Sequence, residues 1–215
     1  SDVCSSDLAA HPRRHRGLRG AVPQILPDVL RLHQGHALAQ PYAERARVLV
    51  DMTCGNGRDT AFLASHMGND ANDAVLYAFD IQERALTATR ALLAEQGLCR
   101  KNIIIKRGSH EILLKEIEET PDLIVFNLGY LPGGNRAIHT DSATTLKAVD
   151  LGLHKISANG IIMLTAYPGT PDGAREKDEL ARFLHTLPQQ CFDVSCWQPV
   201  NQVHEPAVLF VIQKR

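Results

Sequence analysis

From Val22 onward, short apolar runs alternate with longer segments in which apolar residues recur at helical spacing. A continuous apolar run is typical of a strand that is covered on both faces of a parallel sheet. Such runs predict strands at residues 47–51, 74–79, 102–106, 122–127, 160–166, 192–197 and 207–213. The helical spacing predicts helices at residues 59–67, 82–96, 111–118, 142–157 and 175–187, after a short helix that Pro27 opens.

Strands that alternate with helices indicate an α/β fold, in which helices cover both faces of a mostly parallel sheet. The last two strands have no helix between them, so we expect an antiparallel pair at the edge of the sheet. This ending is typical of the Rossmann-like class I methyltransferases, with seven strands and an antiparallel last strand, whereas dinucleotide dehydrogenases normally continue in parallel. We therefore predict one methyltransferase domain over residues 21–215.

The composition is that of a globular protein with a single core. The chain has 215 residues, of which 44% are hydrophobic and 22% charged, and its net charge is −1. This charge argues against a surface coated with basic residues, although a local basic patch is enough to bind a nucleic acid. No apolar run approaches the roughly 20 residues of a membrane-spanning helix. The five cysteines match no common zinc spacing, which predicts reduced thiols in a cytoplasmic enzyme without a metal.

Residues 1–20 differ from the rest of the chain. Their apolar residues follow neither the spacing of a helix nor that of a strand. Four arginines, Arg13, Arg14, Arg16 and Arg19, lie there among histidines and glycines. Two interpretations remain open. One is a disordered or extraneous extension without a role, since disorder concentrates at termini. The other is a basic arm for nucleic acid or the remnant of a targeting peptide.

A glycine-containing turn follows the first predicted strand, in the run Asp51-Met52-Thr53-Cys54-Gly55-Asn56-Gly57. In a doubly wound sheet, ligands bind at the carboxyl ends of the strands where the winding reverses. Gly55 and Gly57 allow a tight turn and a close approach of the backbone to a ligand. The third glycine of a dinucleotide fingerprint is missing, because Thr60 stands at its position.

Carboxylates at the ends of the first two strands indicate which cofactor the turn binds. Asp51 would repel a pyrophosphate, but it suits the charged amino end of S-adenosylmethionine, directly or through water. Asp80 ends the second strand, where an acidic residue accepts hydrogen bonds from ribose hydroxyls. We therefore predict a site for S-adenosylmethionine, to which Thr53 of the turn also contributes.

Other polar residues near these strand ends have two interpretations each. Asp59 is either a carboxylate favoured at a helix start or a contact to the methionine end. Asn56 is a turn residue, a ligand of the methionine carboxylate, or both. Gln82 lies near the adenosine or only begins a helix. Ser109 and His110 follow the third strand, where adenine usually lies, although a lone histidine is more often structural.

The loop after the fourth strand, Asn127-Leu128-Gly129-Tyr130-Leu131-Pro132-Gly133-Gly134, carries the candidate chemistry. Its opening keeps the N-x-x-Y spacing of a motif that methylates amino groups. An Asn carbonyl can accept a hydrogen of the amine and direct its lone pair, while the tyrosine ring packs on the acceptor, so positioning supplies most of the rate. The alternative is a turn without chemistry, but dense glycine and proline after an interior strand favours a functional loop.

These motifs also resemble a known family. The stretches 51–60, 79–82 and 127–134, with Tyr167-Pro168-Gly169, residues 173–178 and the closing run 198–202, are similar to the YtqB-like family long labelled "putative rRNA methylase". Its members are now assigned as tRNA 5-aminomethyl-2-thiouridine methyltransferases of the MnmM type. The similarity extends from about Ile25 to the end of the chain.

The resemblance implies methylation of the amine of 5-aminomethyl(-2-thio)uridine at the wobble position (U34) of tRNA, by a protein that is commonly a homodimer. It implies cofactor contacts by Asp51, Asn56, Asp80, Gln82, Ser109 and His110. It implies a substrate side made of Asn127, Gly129, Tyr130, Leu131, Pro132, Gly133, Tyr167 and Asn201, with Asn127 and Tyr130 as the catalytic residues.

The chain departs from the family at three positions. The family usually has a small residue or methionine where this chain has Cys54, and a histidine where it has Arg58. It usually has Tyr-His-Gly where this chain has Tyr167-Pro168-Gly169. Pro168 leaves no proton-handling role at that position. Alternatives that remain are a methyltransferase for rRNA or a small amine, and a non-catalytic nucleotide-binding module. A tRNA substrate requires positive charge near Asn127, for which the candidates are Arg58, Arg107, Arg136, Arg175 and Lys177.

Overall fold

The computed structural model describes residues 35–67, 74–131, 133, 140–202 and 205–215. Within them, seven strands form one sheet: β1 (Val48–Asp51), β2 (Val75–Asp80), β3 (Ile103–Arg107), β4 (Leu123–Asn127), β5 (Ile161–Ala166), β6 (Phe192–Trp197) and β7 (Val208–Lys214). The helices are α1 (described over residues 35–43), α2 (Arg58–His66), α3 (Glu83–Glu95), α4 (His110–Glu116), α5 (Ser142–Lys155) and α6 (Pro171–Leu184).

The sheet has the order β3-β2-β1-β4-β5-β7-β6. Strands β1 to β5 pair in parallel, whereas β7 is antiparallel to both β5 and β6. This confirms the predicted fold, including the reversed last strand. The winding reverses at β1, which lies between β2 and β4, so the carboxyl ends of these strands form the crevice in which α/β proteins bind ligands.

Two apolar layers cover the faces of the sheet. One contains Val50, Ile124 and Phe126 with buried residues of α4, α5 and α6. The other contains Leu49 and Leu123 with buried residues of α1, α2 and α3. Neighbouring residues of β1 and β4 therefore enter opposite layers, which is the period of two that a strand imposes. Burial on both faces explains why these strands are apolar throughout.

Helices α2 to α5 lie within two residues of their predicted bounds, whereas α1 over residues 35–43 was not predicted and α6 begins earlier than predicted. Each strand lies within one residue of its predicted bounds. Helix α6, predicted over residues 175–187, instead spans Pro171–Leu184. The Thr170 side chain accepts a hydrogen bond from the Gly173 N–H, and Pro171 occupies the first turn, where its missing N–H costs nothing. The short helix predicted at Pro27 and the extension over residues 1–20 lie outside the described residues.

No helix in the described part of the chain is long and apolar enough to cross a membrane. Four cysteines lie in that part and all are free, namely Cys54, Cys99, Cys191 and Cys196.

Candidate functional site

The glycine turn joins β1 to α2 at the point where the winding reverses. Gly55 and Gly57 have φ values of 52° and 84°, which glycine adopts without strain. A Cβ on Gly57 would stand 2.7 Å from the Thr89 Cα, so the turn packs directly against the backbone of α3. The Cys54 N–H donates to the Phe79 carbonyl at 2.8 Å, which fixes the turn to β2. The turn is thus held on both sides, as a preformed cofactor cradle requires.

Asp51 is buried beneath the turn, with 1% of its surface exposed. Its carboxylate accepts hydrogen bonds from the Thr60 hydroxyl at 2.6 Å and from the Thr53 N–H at 3.2 Å. Burial, and then the negative charge of Asp59, raise the pKa of Asp51 from 3.8 to about 7. A cation at this site would relieve that cost, whereas a pyrophosphate would increase it. A direct contact between Asp51 and the cofactor stays a prediction.

The end of β2 provides the second carboxylate. Asp80 accepts hydrogen bonds from the backbone N–H groups of Gly55 at 3.0 Å and Gln82 at 2.9 Å. Burial raises the pKa of Asp80, against the opposing effect of these hydrogen bonds. Gln82 immediately precedes α3 and its side chain makes no capping hydrogen bond. A backbone hydrogen bond from Ile81 adds to these two, and because a carboxylate has about four lone-pair sites, Asp80 retains capacity for a ligand hydroxyl.

Ser109 and His110 lie where β3 leads into α4. The Ser109 hydroxyl donates to Glu111. The His110 ring is buried edge-on to Phe126, with ring centroids 6.0 Å apart, and burial lowers its pKa. Its Nε2 has no hydrogen-bond partner among the described residues. Such an unsatisfied buried nitrogen is uncommon and fits a group that a ligand contacts.

Asn127, the last residue of β4, lies across from the glycine turn. Its backbone N–H donates to the Thr53 hydroxyl at 2.7 Å, and its side-chain Nδ2 donates to Asp59 Oδ2 at 2.8 Å. Thr53 and Asp59, both predicted on the cofactor side, therefore also hold the predicted catalytic asparagine. Because Asp59 accepts from Nδ2, the Asn127 Oδ1 is left as the acceptor for another group.

The loop after Asn127 is fixed to its surroundings at several points. The Gly129 N–H donates to the Thr140 hydroxyl at 2.8 Å. The buried Leu131 packs at the glycine turn, where its Cδ1 lies 3.6 Å from the position of a Cβ on Gly55. The Gly133 carbonyl accepts from Arg84 at 2.8 Å. Tyr130 is 41% exposed, and Pro132 lies outside the described residues.

Two further predicted substrate residues lie at the same edge of the sheet. Tyr167 follows β5 and lines a pocket together with Asn127, Asp59 and His36. Asn201 lies in the link between β6 and β7, beyond the strand end at which Trp197 pairs with Leu209, and it is exposed. Leu209 lines the same pocket. The fold thus brings the described substrate-side residues to the carboxyl edge of the sheet.

Of the predicted basic residues that the structure describes, three lie beside a carboxylate. Arg107 lies 3.9 Å from Glu83, Lys177 lies 2.9 Å from Asp178, and Arg175 pairs with Asp172. Arg58 lines an outer groove between α2 and α3. Arg136 lies outside the described residues.

Sequence reasoning gave no role to two residues that the structure connects to the site. Glu176 has 5% of its surface exposed and accepts hydrogen bonds from the Thr140 and Thr145 hydroxyls at 2.7 and 2.8 Å. Its spacing from Leu180 and Leu184 marks a carboxylate on the apolar face of α6, which was a usable signal. His36 contacts Asp59 at 2.7 Å. No periodicity or motif in the sequence indicated that contact.

A family model described as "Putative rRNA methylase" matches residues 76–213. The chain belongs to this family. The matched residues include Asp80, the Asn127 loop and most of the antiparallel strand β7. It agrees with the family that the sequence motifs resemble.

Relatives support the same assignment. The chain is 29% identical over 185 residues to an Arabidopsis thaliana protein named tRNA (mnm(5)s(2)U34)-methyltransferase, chloroplastic, covering 83% of this chain and 68% of that protein. It is 33% identical to a Clostridium thermocellum protein described as a putative rRNA-methylase, with a TM-score of 0.80 over 86% of this chain and 97% of that one. It is 34% identical to SMU.1697c of Streptococcus mutans, a putative methyltransferase in complex with SAH, with a TM-score of 0.72 over 83% and 97%.

Proposed function

We propose that the chain is an S-adenosylmethionine-dependent N-methyltransferase that methylates the amine of 5-aminomethyl(-2-thio)uridine at the wobble position of tRNA. The Arabidopsis relative is named as a tRNA (mnm(5)s(2)U34)-methyltransferase, and the Streptococcus relative was solved with SAH. The site itself supplies a second line of support, since its residue types suit a cationic nucleoside donor and an amine acceptor.

The residues present fit S-adenosylmethionine. Asp80 retains acceptor capacity for a ribose hydroxyl, and His110 Nε2 is a buried nitrogen without a partner among the described residues. Asp51 and Asp59 give the site negative charge, which suits the ammonium group at the methionine end of the cofactor. When bound, S-adenosylmethionine supplies a methyl group on a positively charged sulfur.

The orientation of Asn127 is the observation that carries the proposal. Methylation requires the lone pair of the amine to point at the methyl group. The hydrogens of the amine therefore have to be bound by acceptors of the protein. Asn127 Oδ1 is a suitable acceptor because Nδ2 is already committed to Asp59. The backbone of Asn127 is also fixed, through Thr53, to the glycine turn. The protein therefore contributes by positioning the amine, which is worth several orders of magnitude in rate.

A nucleobase acceptor fits three exposed aromatic side chains, of which Tyr167 lines the pocket beside Asn127. Tyr130, Tyr167 and Trp197 are 41%, 37% and 54% exposed, which is unusual for large aromatic residues. Proteins that read unpaired RNA bases commonly stack them on such rings.

The decisive experiment incubates the purified protein with S-adenosylmethionine and tRNA that carries 5-aminomethyl-2-thiouridine. Mass spectrometry of the digested nucleosides should show a gain of one methyl group at that base. The same tRNA without the aminomethyl group should remain unchanged. Methylation of rRNA, or of a free amine but not of tRNA, would select one of the alternative substrates. Binding of tRNA that is insensitive to salt would also count against the tRNA proposal.

Asn127→Ala tests the role of the asparagine. We expect turnover to fall by about 100-fold, the scale of losing a positioning contact, while the Kd for SAH stays within about twofold. A matched control is Asn102→Ala, since Asn102 donates to the Ala74 carbonyl at the opposite edge of the sheet. Equal losses of SAH binding and turnover in Asn127→Ala would instead assign this residue to the cofactor.

A further inference from the structure

His36 begins a chain of hydrogen bonds that ends at the candidate catalytic asparagine. Its Nε2 lies 2.7 Å from Asp59 Oδ1, and Asp59 Oδ2 accepts from Asn127 Nδ2 at 2.8 Å. Both Asp59 oxygens are therefore engaged, one by α1 and one by β4. The three side chains line one pocket together with Tyr167.

The His36 ring is held in place by stacking. It lies parallel to the Phe62 ring of α2, with centroids 3.9 Å apart and an interplanar angle of 7°. The side chains of His36 and Asp59 are 27% and 20% exposed, so water has limited access to their contact. The stacked plane fixes the direction in which Nε2 points, and with it the position of the Asp59 carboxylate.

We propose that His36 is a positioning residue of the acceptor pocket, which acts through Asp59 to hold the Asn127 amide with its Oδ1 facing the acceptor amine. This inference rests on the proposed function. It assigns a role to His36, which no sequence motif indicated, and it places Asp59 among the residues that orient the acceptor.

The physical reason lies in the symmetry of an amide side chain. Rotation by about 180° exchanges the Oδ1 and Nδ2 of an asparagine at little steric cost. In the exchanged orientation the Asn127 Nδ2 would face the amine. Its N–H groups cannot accept the hydrogens of the amine, so the contact would be lost. A carboxylate only accepts, so Asp59 admits one orientation of Asn127. His36 donates to the other Asp59 oxygen and keeps the carboxylate from turning toward water.

Two substitutions separate the donor from the ring. His36→Phe keeps a flat ring for stacking on Phe62 but removes the donor. His36→Gln removes the ring but keeps an N–H group that can reach Asp59. We expect His36→Phe to lower kcat by about tenfold, the scale of a misoriented contact, with unchanged SAH affinity and little change in Tm. His36→Gln should recover most of the lost kcat. Wild-type kcat in His36→Phe, or equal losses in both variants, would overturn the proposal.

A second measurement does not depend on activity. In nitrogen-15-labelled protein, the side-chain amide of Asn127 is identified by its absence from the spectrum of Asn127→Ala. His36→Phe should shift this amide signal, whereas His36→Gln should leave it close to its wild-type position. An unchanged Asn127 signal in His36→Phe would refute the coupling. If the wild type methylates no aminomethyluridine, the proposed function fails, and the amide spectrum still decides whether His36 controls Asn127.

Discussion

The carboxylate of Asp80 accepts a hydrogen bond from the backbone N–H of Gly55 at 3.0 Å. The residue expected to bind the ribose therefore also shapes the turn that follows β1. Its other oxygen accepts from the Gln82 N–H at 2.9 Å, so one side chain connects the ends of two elements. The acidic residue and the glycine turn thus form one preassembled unit, in which neither part is positioned without the other.

We expect Asp80→Ala to weaken SAH binding by about 1–3 kcal/mol, the scale of losing hydrogen bonds to a charged group. The loss has two origins, namely the missing ribose contact and the released Gly55 N–H. Isothermal titration calorimetry measures it directly. Asp80→Asn should lose less, because its remaining carbonyl oxygen can still accept one of these hydrogen bonds. An unchanged affinity in Asp80→Ala would remove this residue from the cofactor site.

Gly57→Ala tests the close approach of the turn to α3. The substitution places a Cβ 2.7 Å from the Thr89 Cα in a backbone with φ 84°. We expect a destabilisation of about 2–4 kcal/mol, from left-handed strain together with overpacking. Gly97→Ala is the matched control, since φ is 67° there and no atom lies within 4 Å of the added Cβ. Similar losses in both variants, measured by urea unfolding, would mean that the contact with α3 contributes nothing.

The sheet could be predicted from the sequence because a strand buried on both faces has to be apolar along its length. Leu123 and Ile124 enter opposite layers, and no polar residue could replace either at low cost. The start of α6 was missed, although Thr170 followed by Pro171 is a usual helix start. The contact of His36 with Asp59 depends on how α1 packs on α2, which no local pattern encodes.

The buried Asp51 should make stability depend on pH. Its pKa in the folded state is about 7, raised from 3.8 by burial and by Asp59. Its contribution to stability is therefore fully present below about pH 4 and is lost as the pH rises through 7. Without ligand, the free energy of unfolding of the wild type should fall over this range relative to Asp51→Asn. The asparagine amide can still bond Thr60 and Thr53.

The difference between the two pH curves is the relevant quantity, because Asp80, whose pKa is also raised, titrates in both proteins. Asp51→Asn should gain stability relative to the wild type at pH 8 and lose this advantage near pH 4. If the free energies of unfolding of the two proteins changed in parallel from pH 4 to pH 8, the ionisation of Asp51 would cost no stability. Chemical unfolding at fixed pH values gives both curves.

Glu176 is expected to control the acceptor side without affecting the cofactor. Its two oxygens accept hydrogen bonds from Thr140 and Thr145, and the Thr140 hydroxyl in turn accepts from the Gly129 N–H. The carboxylate thus anchors the start of the Asn127 loop to α5 and α6. Glu176→Ala leaves two hydroxyls without their acceptor and should cost about 1–3 kcal/mol of stability.

In the same variant, the KM for tRNA should rise several-fold, on the order of 1 kcal/mol, while the Kd for SAH stays unchanged. Glu176→Gln should show a smaller effect, because its carbonyl oxygen can still accept from one hydroxyl. Glu179→Gln removes the same charge from a less buried position of α6 and serves as the control. A weaker affinity for SAH in Glu176→Ala would mean that the carboxylate supports the whole crevice, and not the acceptor loop alone.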